Sequence, residues 1–147
     1  MRKICSSFCV LILFFALPNI VLAQGDECGT ASVLTAVGVC NAGSATSGTS
    51  VGATESLAPC GSSIGALDVW YRFTATSSSY TVEVEGQGGF DPVFELMTGT
   101  CPGSLGAKQS ISCGSGCIDN SGNNGTETET YYGFEIGSTV YIRVYGW

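Results

Sequence analysis

A short polar stretch near the C-terminus carries four side chains whose oxygen atoms could coordinate a cation: Asp119, Asn120, Asn123 and Asn124. Calcium takes six to eight oxygen ligands from carboxylates, amides, carbonyls and water. The spacing does not match an EF-hand loop, because the twelfth residue counted from Asp119 is Thr130 and not a glutamate. An Asx-turn loop, in which short polar side chains bond to the nearby backbone, is the alternative. We therefore expect weak or no calcium binding, and no other cofactor.

The sequence contains no set of residues suited to hydrolytic catalysis. The chain contains no histidine, which excludes the Ser-His-Asp and Cys-His arrangements. Ser115 lies between two glycines and two cysteines, and not in a Gly-x-Ser-x-Gly elbow. Two carboxylate pairs alternate along strand-like segments: Glu83 with Glu85, and Glu127 with Glu129. A glycosidase needs its two acids across a cleft, so solvated strand faces explain these pairs, and we predict no catalytic residue.

Aromatic side chains offer a binding surface in place of a reactive centre. Three of them, together with the terminal Trp147, fall at outward-directed positions of strand-like segments: Trp70, Tyr141 and Tyr145. A flat aromatic row can stack against sugar rings or a protein surface. Ordinary packing within a β-sandwich explains Trp70 equally well. The sequence thus leaves binding of a surface glycan or protein open beside a purely structural role.

The first 23 residues have the pattern of a helical secretory signal peptide. Two basic residues at the start are followed by an apolar stretch over 4–17 and a small-residue cleavage site, Val21-Leu22-Ala23. A membrane-spanning helix is the alternative. Pro18 and neighbouring polar residues leave the apolar run shorter than the roughly 20 residues that a bilayer requires. We expect cleavage after this site, no transmembrane anchor, and one exported domain over residues 24–147.

The exported part would be strongly acidic. Removal of Arg2 and Lys3 with the leader changes the formal net charge from −7 to −9. The basic residues that remain are scattered: Arg72, Lys108 and Arg143. Because nucleic-acid phosphates are bound by clustered lysine and arginine, we exclude a nucleic-acid partner.

An even number of cysteines remains after the leader: Cys28, Cys40, Cys60, Cys101, Cys113 and Cys117. In an exported chain this number predicts disulfides. Zinc is the competing assignment, since Cys113 and Cys117 are four residues apart, but histidine and a second close cysteine pair are missing. Cys101 and Cys113 flank a short Pro-Gly-Ser loop, which makes them the expected local bridge. The pairing of the other cysteines stays open.

The elements that carry these residues alternate between apolar and polar positions, as strands do. The clearest segments are 69–74, 80–85, 90–98, 126–132 and 139–145. Turns rich in glycine, serine and asparagine separate them, and no helical period extends over the exported part. This pattern predicts an all-β protein built as an antiparallel β-sandwich. Residues 41–65 carry few large apolar side chains and are either an ordered loop or a disordered linker.

With these elements placed, the chain resembles the bacterial pre-peptidase C-terminal domain over roughly residues 26–147. The resemblance rests on short motifs spread along the chain: Asp26-Glu27-Cys28, Asp68 to Phe73, Phe90 to Val93, Thr98 to Cys101, Cys113, Asp119-Asn120 with Thr126-Glu127, and Val140 to Tyr145. It implies a jelly-roll-like β-sandwich that accompanies peptidases, other hydrolases or adhesins in exported and surface proteins. The family pattern usually adds one further strand, often with a cysteine, so the domain at 24–147 is expected to lack its last strand and to leave a sheet edge unpaired.

The expected function is therefore a non-catalytic accessory or binding module of a secreted or cell-surface bacterial protein. Its partners would be neighbouring domains of a larger parent protein, with a surface glycan or protein as a further candidate. One alternative is that the chain is the N-terminal part of a secreted peptidase or glycosidase whose catalytic residues lie beyond Trp147. The other is a free-standing carbohydrate-binding module.

Overall fold

The computed structural model describes residues 8–14, 23, 25–40, 42–60, 66–107 and 116–147. Helical structure in these ranges is limited to two 3-10 turns, Cys28–Thr30 and Ala42–Ser44. The remaining elements are strands: β1 (Phe8–Phe14), β2 (Ser32–Val33), β3 (Thr46–Gly48), β4 (Val69–Thr74), β5 (Ser79–Glu85), β6 (Pro92–Thr100), β7 (Ser104–Ala107), β8 (Cys117–Ile118), β9 (Thr126–Tyr132) and β10 (Thr139–Gly146). The all-β prediction is confirmed.

The strands form two sheets. The first sheet has the order β3-β1-β5-β9, and the second has the order β2-β4-β10-β6-β7, with β8 also paired to β6. The central pairs β4–β10, β6–β10 and β5–β9 are antiparallel. In contrast, β1 is parallel to both β3 and β5, and β2 is parallel to β4. The expectation of a purely antiparallel architecture is wrong, because these N-terminal strands join their neighbours through long connections and not through hairpins.

The main core contains alternating side chains from both sheets. In β5 the inward residues Tyr80, Val82 and Val84 are fully buried, and β10 contributes Val140, Ile142 and Val144 in the same way. Tyr80 is also in edge-to-face contact with two phenylalanine rings, at centroid distances of 4.6 Å to Phe73 and 5.3 Å to Phe134. Such contacts add to the area that the rings bury.

Two smaller apolar clusters contain residues of the second sheet whose side chains point away from the main core. One joins Trp70, Met97 and Tyr141 with Ala31, and partly buried cysteines Cys28 and Cys101 pack against it. The other joins Val93 and Tyr145 with Ala66, and Cys117 packs against it. The second sheet is thus covered on the side away from the main core as well, by loops and cystines. This double cover explains why β6 is buried at six consecutive positions.

Part of the expected leader, Phe8–Phe14, is a strand and not a helix. It lies inside the first sheet, and its buried side chains Val10 and Ile12 are only 2% and 0% exposed. A short apolar run rich in branched and aromatic residues fits a buried strand as well as a helix, so its periodicity could not distinguish them. The expected cleavage site lies outside the described residues except for Ala23. In the described segments, no helix is long and apolar enough to cross a membrane.

The disulfides differ from the expected local bridge. Cys101 is bonded to Cys28, with 6.0 Å between the Cα atoms, and not to Cys113, which lies outside the described residues. A second bridge joins Cys60 to Cys117, 6.2 Å apart at Cα. Cys40 is disulfide-bonded as well. The two bridges connect positions 73 and 57 residues apart, which spacing alone could not indicate.

Candidate functional site: a buried charge cluster and a polar loop

A buried cluster of charged side chains lies on the outer side of the second sheet. The strand register places Arg143 of β10 between Trp70 of β4 and Glu95 of β6. The Arg143 Nε atom donates to Asp68 Oδ2 at 2.8 Å, and its Nη1 atom donates to Glu95 Oε2 at 2.9 Å. Nη2 of the same guanidinium is 2.6 Å from Asp68 Oδ2. The side chains of Arg143 and Asp68 are 0% exposed, so this ion pair is removed from water.

The loop that follows β3 closes over this cluster. Arg143 donates from Nη1 to the Ala58 carbonyl at 3.1 Å and from Nη2 to the Leu57 carbonyl. The Ser56 hydroxyl donates to Asp68 Oδ1 at 2.7 Å and accepts from Trp70 Nε1 at 2.9 Å. The N–H groups of the guanidinium therefore donate to two carboxylates and two carbonyls. A disordered linker is ruled out for this part of 41–65, because its backbone is bonded to buried side chains.

The electrostatics of the cluster follow from one cation facing two carboxylates. Burial raises the pKa of Glu95, and Asp68 adds to this shift, while Arg143 opposes it. The Tyr145 ring lies 4.7 Å from Arg143 Cζ, a cation–π distance. Its hydroxyl accepts from the Cys60 amide at 3.1 Å, and burial raises the pKa of Tyr145 to about 12. These groups are arranged to hold a loop and two strands together.

The polar loop after β8 is organised by a buried carboxylate. Glu127, which is 0% exposed, accepts from the Asn120 amide at 2.7 Å and from the Ser121 amide at 2.6 Å. Asn124 has a φ of 60°, and its side-chain oxygen accepts from the Gly89 amide at 2.6 Å. The expectation that Glu127 and Glu129 lie on a solvated face is wrong, since both are buried. The carboxylate of Glu127 thus supplies acceptors for two backbone N–H groups of the loop, those of Asn120 and Ser121.

The expected calcium ligands are thus neighbours in one loop, and all four are exposed. The pKa of Asp119 is raised by desolvation, then by the nearby charges of Asp91 and Glu127. Asp91 Oδ1 is buried without a hydrogen-bond partner. However, both Glu127 oxygens already accept from N–H or O–H groups, and the described residues contain no group of three or more acidic, cysteine or histidine side chains placed to hold a metal. Weak or absent calcium binding at this loop stays a prediction.

The expected row of exposed aromatics is wrong. Trp70 is 1% exposed, Tyr141 is 8% exposed and Tyr145 is 0% exposed, whereas Trp147 is 55% exposed. The loop over Arg143 and the two cystines cover the outer side of the second sheet, and alternation along a strand cannot show what lies over either face. Ordinary packing, the alternative for Trp70, describes all three buried rings.

The Arg143 cluster was not predicted from the sequence. Its one signal was an arginine at the centre of the apolar strand Val140 to Tyr145, where a charge is costly unless it is paired. The partner Asp68 lies 75 residues away along the chain, so no local pattern linked the two.

Comparison with known proteins adds no relative. No family model, no curated protein and no solved structure matches the chain. The fold and the site alone therefore describe the type of protein. It is an all-β, disulfide-linked protein with two mixed sheets, in which the buried Arg143 cluster and the buried Glu127 hold surface loops.

Proposed function

We propose that this chain is a non-catalytic accessory or binding module of a secreted or cell-surface bacterial protein, with the jelly-roll-like fold of pre-peptidase C-terminal domains. The observation that supports the proposal most is that its buried ionisable groups are bonded to other parts of the protein. Arg143 bonds to Asp68, to Glu95 and to a loop, and Glu127 bonds to backbone amides. A catalytic group must instead direct its reactive atoms toward a substrate.

Two features support an exported location. The cystines Cys28–Cys101 and Cys60–Cys117 form and persist in oxidising compartments. The first 23 residues carry the pattern of a secretory leader. The acidic exported part would be soluble and would repel anionic surfaces. Its partners would be neighbouring domains of a parent protein.

The alternative of a carbohydrate-binding module has lost its strongest support, because the aromatic side chains that would stack on sugar rings are buried. The parent protein can still be a peptidase or glycosidase. In that case this domain would position or solubilise the catalytic part, which is the accessory role proposed above.

Export and turnover can be tested in one preparation. We expect the full chain, produced with its own leader in a bacterial host, to leave the cytoplasm with residues 1–23 removed and with its cysteines resistant to alkylation before reduction. Intact mass measures both properties. Fluorogenic peptidase, esterase and glycosidase substrates should not be turned over. Saturable turnover that elutes with the intact chain through successive chromatography steps and scales with its concentration would refute the non-catalytic assignment, whereas turnover that separates from the chain comes from a contaminant and leaves the assignment in place.

A further inference from the structure

The strand β1 occupies an internal position in the first sheet. Its backbone is paired in parallel with β5 from Phe8 opposite Tyr80 to Leu13 opposite Glu85, and with β3 from Ile12 opposite Thr46 to Phe14 opposite Gly48. Among the described strands, β3 is paired only with β1. Thus β1 alone joins β3 to the rest of the sheet.

This strand also completes the core. Val10 and Ile12 belong to the main cluster, together with Val82 and Val84 of β5. If the leader is cleaved after Ala23, as the export proposal requires, this strand leaves with it. The edge of β5 then loses its backbone partner, and two buried aliphatic side chains are removed from the core. A void of that kind is costly, because buried apolar side chains lose contacts with nothing to replace them.

No replacement strand is found among the described strands or in the short segments between them. The described strands are already paired in the two sheets. The intervening segments 61–65 and 108–115 each contain only one large aliphatic residue, Ile64 and Ile111 respectively. Neither segment can place two branched aliphatic side chains at alternate positions, as β1 does with Val10 and Ile12. Within residues 24–147 the vacated position therefore has no second occupant, and the backbone edges of β3 and β5 can accept a strand from a partner polypeptide.

The charge beside the position specifies what that strand carries. Positions 11 and 13 of β1 are paired with Glu83 and Glu85 of β5, and both glutamates are partly exposed. An incoming strand with lysine or arginine at these register positions would place opposite charges side by side, which is favourable across paired strands. Its alternate positions, equivalent to Val10 and Ile12, would be aliphatic.

We propose that the exported protein is a strand acceptor: cleavage of the leader vacates the position between β3 and β5, and an extended segment of a partner polypeptide, aliphatic at two alternate positions and basic at those opposite Glu83 and Glu85, fills it. Addition of a strand to a sheet edge gives affinity through main-chain hydrogen bonds and specificity through the alternate side chains. This inference rests on the export proposal. It goes beyond that proposal by naming the surface and the chemistry of the partner.

The test uses the exported protein and a labelled synthetic peptide. The peptide has the sequence of residues 8–14 with Cys9 replaced by Ser and with Lys at the positions of Leu11 and Leu13. We expect saturable binding by fluorescence anisotropy and a rise in the thermal unfolding midpoint. A control peptide with Asn at the positions of Val10 and Ile12 should bind at least about tenfold more weakly, since polar side chains are poorly accommodated in the core. The E83K/E85K protein should bind the lysine peptide about tenfold more weakly and prefer a peptide with glutamate at the same two positions.

Each outcome decides the inference. An exported chain that is unfolded alone and folds when the lysine peptide is added supports it, as does binding with both specificities. A mass that still includes residues 8–14 overturns it, because the position is then filled by the chain's own strand. A processed, folded monomer that binds neither peptide overturns it while leaving the accessory-module proposal intact. A processed dimer from which the peptide displaces nothing also overturns it and identifies a second copy as the occupant. Substrate turnover, in contrast, bears only on the accessory-module proposal.

Discussion

At the scale of single residues, the buried guanidinium of Arg143 is the most informative group. Moving a charge out of water costs several kcal/mol, and this arginine recovers the cost through two carboxylates and two carbonyls. The cluster contains one cation and two acids, and the two acids do not interact equally with the guanidinium. Asp68 has two contacts with the guanidinium, whereas Glu95 has one. The two acids should therefore respond differently when the cluster is perturbed.

Replacing Arg143 tests whether the cluster stabilises the fold. We expect Arg143→Met to lower the free energy of unfolding by about 3–5 kcal/mol, because Asp68 and Glu95 are then buried without a cation. Urea unfolding followed by tryptophan fluorescence measures the change. The control is Arg72→Met on β4, whose side chain is exposed and whose loss should cost less than about 0.5 kcal/mol. Equal effects of the two substitutions would show that the buried cluster has no special importance.

The pH dependence of stability tests the shift at Glu95. Burial raises its pKa in the folded state, so the folded protein binds this proton more tightly than the unfolded chain does. The stability that Glu95 contributes is thus fully present below its unfolded pKa, about 4.3, and falls as the pH rises through the folded value. Glu95→Gln keeps a hydrogen-bond acceptor for Arg143 and does not titrate.

The expected result is a wild-type protein whose stability, relative to Glu95→Gln, is highest near pH 4 and declines toward pH 8. Urea unfolding of both proteins across this range gives the difference directly. A relative stability that instead increases with pH would mean that the attraction of Arg143 outweighs desolvation, and that folding lowers the pKa of Glu95.

At the scale of elements, the strands could be predicted well and their surroundings could not. The segment 126–132 was placed at its observed bounds, and 139–145 differs from β10 by one residue. Both follow from period-two alternation, which is local information. The burial of Glu127 and Trp70 depends on which loops cover each strand. The alternation of polar and apolar residues in Thr126–Tyr132 does not indicate which face is covered. For the same reason the apolar leader segment was expected as a helix, although it lies between strands.

The loop 119–125 provides an element-scale test of Glu127. Glu127→Gln loses one carboxylate oxygen and turns an amide donor toward backbone N–H groups that need acceptors. We expect a loss of about 1.5–3 kcal/mol in the free energy of unfolding, typical of bonds to a charged group. The amides of Asn120 and Ser121 should also lose protection from hydrogen exchange. The control, Thr128→Ala, removes an exposed side chain from the same strand and should leave these two amides protected.

Faster exchange at Asn120 and Ser121 in the Thr128→Ala protein as well would mean that the loop depends on β9 in general and not on the buried carboxylate. Unchanged exchange in Glu127→Gln would contradict the assigned role of Glu127 directly.

At the scale of the whole molecule, the two described cystines connect distant parts of the chain. Cys28–Cys101 joins a 3-10 turn to the end of β6, and Cys60–Cys117 joins the loop over Arg143 to β8. By the chain-entropy relation, loops of 73 and 57 residues are each worth about 4 kcal/mol, so the two bridges have nearly equal value on that basis. They differ in position, since Cys60 lies close in sequence to Leu57 and Ala58 and Cys117 is paired with Glu95, so both ends of this bridge adjoin residues that bond to Arg143.

A coupling measurement separates position from entropy. Arg143→Lys keeps the charge but loses the planar donor set that reaches Asp68 and the carbonyls of Leu57 and Ala58, so it should destabilise the otherwise unchanged protein. In a C60S/C117S background the loop is no longer tied to β8, and the same substitution should cost at least about 0.5 kcal/mol less, the coupling expected for groups in one network. In the C28S/C101S background it should keep its full cost. Urea unfolding of the six proteins, which are the three backgrounds with and without Arg143→Lys, gives both differences. Equal costs of Arg143→Lys in the two backgrounds that each lack one cystine would mean that the Cys60–Cys117 bridge acts only by restricting the unfolded chain and does not hold the loop against Arg143.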